Sequence, residues 1–336
     1  MDPGVVLVVV LALAFAFTNG IQDAANSIAT LVATRGARPL SALAMATVVI
    51  LVAPFLVGSA VAQTIAGLVE VPADDTAEVL ASGLLAALVW NIGAWLRGIP
   101  SSSSHALVGG LAGAAVAAAG LDAVTWGGFE GWKPVGVAAI LVALAVSPIL
   151  GAGASFLVLR GLRRALRRGT KRFAGAVRRS QWVTSALLTA GQGANDAQKA
   201  VGVISAVLVA DGASPSTGAP TLAVAGAAAA MAAGTALGGW RIVRTIGQRI
   251  YELRSLDALA SQAGSAAVLL GASSAGAPVS ATHIVSSSVV GVGGARRRWG
   301  RVRWAVVREI GIAWVTTLPA TALLGAAALS TWRWIA

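Results

Sequence analysis

Asn19-Gly20-Ile21-Gln22-Asp23-Ala24-Ala25-Asn26 lies within one apolar stretch, and Gln192-Gly193-Ala194-Asn195-Asp196-Ala197-Gln198-Lys199 lies within another. Gly, Asp and Ala align without a gap, and so do the flanking amides. A second pair follows in the same order: Pro100-Ser101-Ser102-Ser103-Ser104-His105 and Pro278-Val279-Ser280-Ala281-Thr282-His283. Asp23 precedes His105 by 82 residues, and Asp196 precedes His283 by 87. Two motifs that recur in one order at nearly one distance mark a duplicated chain.

The surroundings of these motifs decide the solvent. Of 336 residues, 57% are hydrophobic and 11% charged, whereas a soluble domain carries about 25% charged residues. That composition excludes a soluble enzyme and a disordered chain, and Cys 0 excludes a disulfide scaffold. The class it predicts is an all-α integral membrane protein. About ten apolar stretches approach the roughly 20 residues of a span: 5–34, 40–67, 79–96, 98–120, 134–159, 182–210, 219–240, 256–274, 278–294 and 304–328. The first residues, MDPGVVLVVVLALAFAF, lack a basic leader region and read as a first span, not a cleaved signal peptide.

Charge orients the chain. With the N-terminus outside, the inner loops hold Arg35 and Arg38, Arg97, the basic stretch 160–181, the arginines from Arg241 to Arg254, and those from Arg296 to Arg308. These make 22 of the 25 Lys and Arg residues. The outer loops hold Glu70, Asp74, Asp75, Glu78, Asp122, Glu130 and Asp211. The net charge of +12 is thus a positive-inside signal, with no nucleic-acid partner implied. Both termini are placed outside. Five stretches precede the basic loop 160–181 and five follow it, so repeats 1–159 and 182–336 enter with inverted topology.

An ionised carboxylate inside a span costs several kcal/mol unless paired or hydrated. Asp23 and Asp196 are the carboxylates deep in apolar segments, each beside Gly and carboxamides. Gly weakens a helix locally, so helices 1 and 6 are predicted to be broken at these motifs. Carboxylates and carbonyls suit a hard monovalent cation or a proton, and amide N–H groups suit an oxyanion. Capping of half-helices is the structural alternative. Pro100 and Pro278 mark helix starts within Ser/Thr-rich helix starts or hairpins at 99–120 and 278–294. Helix N-termini expose N–H groups and a partial positive charge, and hydroxyls added there suit a tetrahedral oxyanion; plain N-capping is the alternative. His105 and His283 can donate to an anion, relay protons or hold a hydroxyl from behind. Lys199 aligns with Asn26, where it can neutralise Asp196, bind the anion or exchange a proton. No nucleophile elbow or zinc motif is present, so no enzyme is expected.

NGIQDAAN and GQGANDAQK, with PSSSSH and PVSATH, resemble the inorganic phosphate transporter (PiT) family over residues 5–328, and the GANDAQK form resembles its bacterial branch. The resemblance implies a symporter of inorganic phosphate in a bacterial inner (cytoplasmic) membrane, coupled to H+ or Na+, with no other cofactor. It implies phosphate contacts from Ser102, Ser103, Ser104, Ser280, Thr282, Asn26, Asn195 and Lys199. It implies cation coupling at Asp23 and Asp196, which would hold sodium if sodium is the coupling ion, with Asn19, Gln22 and Gln192 around them. His105 and His283 stand behind. Family members also carry sulfate or a metal–phosphate complex, and a homodimer is compatible with the class. Gln22 and Lys199 depart from the signature, in which both positions are Asn.

Overall fold

The computed structural model describes residues 2–56, 58–131, 133–167, 173–213 and 220–335. The chain is almost wholly helical. The first half runs α1 (Pro3–Ala33), α2 (Pro39–Val52), α3 (Ala60–Ala66), α4 (Ala73–Arg97), α5 (Ser103–Ala119) and α6 (Gly136–Ala165). The second runs α7 (Ala174–Ala210), α8 (Thr221–Leu237), α9 (Trp240–Arg244), α10 (Ser255–Ser274), α11 (Ala281–Ala295) and α12 (Trp304–Ile335). A two-stranded hairpin, β1 (Gly128–Glu130) with β2 (Lys133–Val135), precedes α6 and was not expected from the sequence.

The predicted breaks in helices 1 and 6 are absent. α1 is continuous over 31 residues and α7 over 37, straight through both Asp motifs. The glycines serve close packing instead. A Cβ on Gly20 would collide with the backbone of Met231 and Thr235 on α8, and one on Gly234 would collide with Phe17. Small residues let backbones touch where lipid gives no hydrophobic drive for association. The breaks fall elsewhere: α2 and α3 meet at 76°, and α8 meets the α9 segment at 63°.

By length and composition together, fewer than ten of the described helices qualify as full spans. Among the described residues α1, α4, α6 and α12 are each long and apolar enough to cross, and the two bent pairs raise the number to as many as six. α5 has 17 residues and α11 has 15, or about 26 and 22 Å, short of a hydrocarbon core of roughly 30 Å. Each follows a longer arm, α4 or α10, and the linkers 98–102 and 275–280 double back so that the short arm starts inside the bundle. Pro100 and Pro278 stand in these linkers, and the helices begin three residues later behind the caps Ser102 and Ser280.

The two ends of the bundle differ in charge. At one end Arg35, Arg38 and Arg178 share a pocket wall. There the Trp182 indole donates to Gly36 O, Arg163 to Ala295 O and Arg303 to Gln248 O. At the other end Arg333 bridges Asp75 and Glu78, and Thr125 donates to Glu70. α1 therefore runs from the acidic to the basic end and α7 runs back. The basic segment is mostly helical extension of α6 and α7; its Arg168, Lys171 and Arg172 lie outside the described residues.

The apolar interior is split. One cluster, including Phe15, Leu80, Leu111, Val201 and Met231, fills the acidic half. Another, including Ile28, Leu43, Ile246, Ile284 and Val292, fills the basic half. α1 contributes Val5 to Ala16 to the first and Ala24 to Leu31 to the second. The polar motifs lie between them.

Asp257 is a third buried carboxylate, 0% exposed, which the sequence reading passed over. It accepts from the Arg254 amide at the start of α10 and pairs with Arg296 at 2.7 Å. Removing the cation leaves a buried charge unpaired. Arg296 is partly exposed, so Arg296→Ala is expected to cost about 2 kcal/mol, after discounting for solvent screening. Thermal unfolding in detergent measures it; an unchanged midpoint removes the pair from the stability of this end.

Candidate functional site

α1 and α7 are central: Asn19 to Leu31 and Gly191 to Ile204 are buried without interruption. A helix buried on all sides exposes none of its polar groups to water, so each needs a partner. Gln192 Nε2 donates to Asp23 O at 3.1 Å, and Ser27 Oγ donates to Gln192 Oε1 at 3.0 Å. These bonds lock the two helices together at the motifs. The Gln192 bond sets the Asp196 motif of α7 against Asp23 of α1, and Lys199 pairs with Asp196.

The helix tips meet the same place. Asn26 Nδ2 donates to Asp23 Oδ1 at 3.0 Å and to Thr282 Oγ1 at 3.1 Å. The Lys199 ammonium pairs with Asp196 Oδ1 and donates to Val279 O at 3.2 Å. Ser104 Oγ, from the other tip, donates to Val279 O at 3.1 Å. Asn195 Nδ2 donates to Ala277 O at 3.0 Å and to Ser273 Oγ at 3.3 Å. The His105 and His283 rings stand 4.9 Å apart, and His283 stacks on Trp314 of α12 at 3.8 Å. The Trp314 indole in turn donates to Pro100 O. His283 Nδ1 lies 3.3 Å from Leu144 O.

The hydroxyls divide into kinds. Ser102 Oγ and Ser280 Oγ accept from the amides of His105 and His283, each at 3.3 Å, and so cap α5 and α11. Capping uses one lone pair and leaves each O–H free to donate. The first intrahelical bonds run from Ala106 to Ser102 and from Ile284 to Ser280, so the amides of Ser103, Ser104, Ala281 and Thr282 have no partner within the helix. Ser103 is half-buried. Ser101 Oγ is buried without a partner.

Four acceptor oxygens in the same junction are buried and unpartnered: Asp23 Oδ2, Asn26 Oδ1, Asn195 Oδ1 and Asp196 Oδ2. Leaving such groups unmade costs roughly 1–3 kcal/mol each, more for charges. A hard cation or a ligand with O–H groups satisfies them. Among the described residues no three His, Asp or Glu side chains converge as for a transition metal.

Asn19 and Gln22 are more remote from this junction. Asn19 Oδ1 accepts from Asn91 Nδ2 at 3.2 Å, and Gln22 Nε2 donates to Asn91 O at 2.8 Å. Both fasten α1 to α4. The sequence reading did not single out Asn91, although it is the lone carboxamide in its apolar stretch. Gln198, within the second Asp motif, is structural. Its Oε1 accepts from the amides of Val61 and Ala62, capping the bent start of α3. Trp314 carried no signal at all.

Thr282→Ala removes an acceptor of Asn26 and a hydroxyl from the tip. The expected result is about a fivefold rise in half-saturating phosphate, from roughly 1 kcal/mol. Uptake kinetics in vesicles check it, and an unchanged value removes Thr282 from the anion contacts.

The profile of the Phosphate transporter family matches residues 19–325. A "Probable low-affinity inorganic phosphate transporter" of Mycobacterium tuberculosis (strain ATCC 25618 / H37Rv) is 42% identical over 323 residues, 95% of this chain and 75% of that one. One of the same description from Bacillus subtilis (strain 168) is 39% identical over 331 residues, 96% and 95% of the two chains. A solved structure titled "The sodium-dependent phosphate transporter" superposes with a TM-score of 0.85 at 25% identity, covering 100% of both chains. A profile match over most of the chain, with relatives of this identity and coverage, makes the protein a multi-pass membrane protein and a member of the phosphate transporter family.

Proposed function

We propose that the chain is a secondary active transporter, a symporter in which protons or sodium running down their gradient drive the uptake of inorganic phosphate. The observation that carries this reading is the set of four unpartnered acceptor oxygens where α1, α7 and the two tips converge. Monohydrogen phosphate brings an O–H to such acceptors, and dihydrogen phosphate brings two. Sulfate at neutral pH brings none, so the same oxygens repel it. The tips supply the complementary donors: first-turn amides and the hydroxyls of Ser102, Ser103, Ser280 and Thr282, reinforced by the positive ends of α5 and α11, while the Ser104 hydroxyl joins them only on releasing Val279 O. The Asn26 carboxamide is shared between Asp23 and Thr282, and that of Asn195 is held by Ala277 O and Ser273. Lys199 adds a positive charge that offsets the two acids.

The coupling follows from electrostatics. Two carboxylates and a phosphate repel one another in a medium of low dielectric, so each is bound better once a cation arrives. Binding of cation and anion is then mutually favourable, as linkage requires. Asp23 is the carboxylate free to take that cation or proton, with Asn19, Gln22 and Gln192 holding its helix in place. His105 and His283 stand behind the tips and hold them through Trp314 and Leu144.

Alternation of access rests on an inverted repeat. α1 and α7 run in opposite directions. α5 packs on α12 as α11 packs on α6, and α4 packs on α12 as α10 packs on α6. The half-hairpins α4–α5 and α10–α11 thus enter from opposite ends, and their tips meet at mid-depth. Rocking of one half on the other exposes that depth to each side in turn. The basic end faces the cytoplasm by the positive-inside rule, which leaves both termini outside a bacterial cytoplasmic membrane.

The test uses the purified protein in liposomes with imposed gradients. Labelled phosphate is expected to accumulate against its own gradient when sodium or protons flow inward, and a hundredfold excess of sulfate is expected to leave uptake unchanged. Phosphate flux that ignores both gradients would sink symport, and competition by sulfate would sink the role given to the four oxygens.

A further inference from the structure

Asp196 and Lys199 are spaced as Asp23 and Asn26 are, three residues apart on a buried helix. Yet the two positions are wired differently. Asn26 offers a neutral amide, and its own Oδ1 stays unpartnered beside the free Asp23 Oδ2. Lys199 offers an ammonium that touches Asp196 Oδ1 and the backbone oxygen of Val279. A carboxylate oxygen and a tip carbonyl around a buried positive charge are the contacts a desolvated alkali cation takes. Lys199 is 1% exposed and Asp196 is 2% exposed.

The first half lacks such an occupant. There the free oxygens are Asp23 Oδ2 and Asn26 Oδ1, both buried. We propose that the Lys199 ammonium is a tethered counter-cation that fills the place in the second half which a mobile coupling cation takes in the first, beside Asp23 and Asn26. Resting on the symport reading, this sets the cation count: one mobile cation binds, and Lys199 is the residue that bars another. An ammonium that never leaves also keeps the Asp196 side anion-ready when the mobile ion has gone. The side chain thereby determines coupling and is not a phosphate ligand.

Lys199→Asn recreates the first-half spacing in the second half, and Lys199→Arg keeps the charge. Equilibrium binding of labelled sodium to the purified full-length protein is measured for all three chains, together with phosphate uptake as a function of sodium. Lys199→Asn is expected to bind one more sodium per chain than the wild type and the arginine variant. Where the asparagine variant transports, its sodium dependence is expected to be steeper by one order. Equal sodium binding in wild type and Lys199→Asn would falsify the proposal, whether or not the variant transports. A raised half-saturating phosphate with no extra sodium overturns it in favour of direct anion binding. A wild type that fails to carry phosphate sinks the symport reading, while the sodium difference still decides the role of Lys199.

Discussion

Asp23→Asn is expected to lower gradient-driven phosphate uptake to about one hundredth of wild type or less. Asp23 is 4% exposed, and one of its oxygens has no partner within the protein. The substitution is nearly isosteric, and the bond between Asn26 and Oδ1 has an oxygen to replace it. What disappears is the charge that binds the coupling ion. A charged hydrogen bond or ion contact is worth about 1.5–3 kcal/mol, and the upper value corresponds to roughly a hundredfold. Membrane levels of the variant are expected to be normal, because no charged partner on another helix is stranded. Asp196→Asn differs in kind: it strands the Lys199 ammonium in the interior, so lower levels and lost transport are expected together. Quantified protein in the same vesicles separates the two, and full uptake by Asp23→Asn removes the acid from coupling.

Gly20→Val is expected to prevent assembly of the bundle. A side chain there meets main-chain atoms of Met231 and Thr235, which have no rotamer to yield. Thr235 Oγ also donates to Gly20 O at 3.2 Å, so the two helices are bonded where they touch. Overpacking costs typically about 1–3 kcal/mol where side chains give way; with backbone on both sides the expected loss is at least about 3 kcal/mol. Gly234→Val, the reciprocal change on α8, is expected to do the same. Gly153 on α6 meets nothing within 4 Å, and Gly153→Ala is expected to be neutral or to gain roughly 0.5–1 kcal/mol of helix preference. Thermal stability in detergent ranks the three. A stable Gly20→Val would show that α1 and α8 can separate without loss.

The pairing of the acid motifs with the Ser/Thr motifs was legible in the residues, because repetition with conserved order and distance leaves few other origins. The sites of helix breakage were not. A glycine that unwinds a helix and a glycine that lets a second helix touch look alike in a one-dimensional string, and Gly20 and Gly193 are of the second kind. Hydropathy likewise merged the short arms α5 and α11 with true spans, since 15 apolar residues plus a Ser/Thr linker read as one long stretch. Pro100 and Pro278 misplaced the helix starts by three residues because Ser102 and Ser280 cap them. Asp257 escaped notice because a carboxylate three residues into a helix reads as an ordinary N-terminal charge, and only its contact with Arg296, 39 residues away, makes it interior.

Two separate oily plugs, one on each side of the polar belt, make the molecule an airlock. If the halves rock as proposed, opening the plug around Phe15 and Met231 leaves the one around Ile28 and Val292 to stay dry, and the reverse follows by symmetry. On the symport reading, that separation denies hydrated ions a continuous file of water across the belt, which keeps the gradient for cargo.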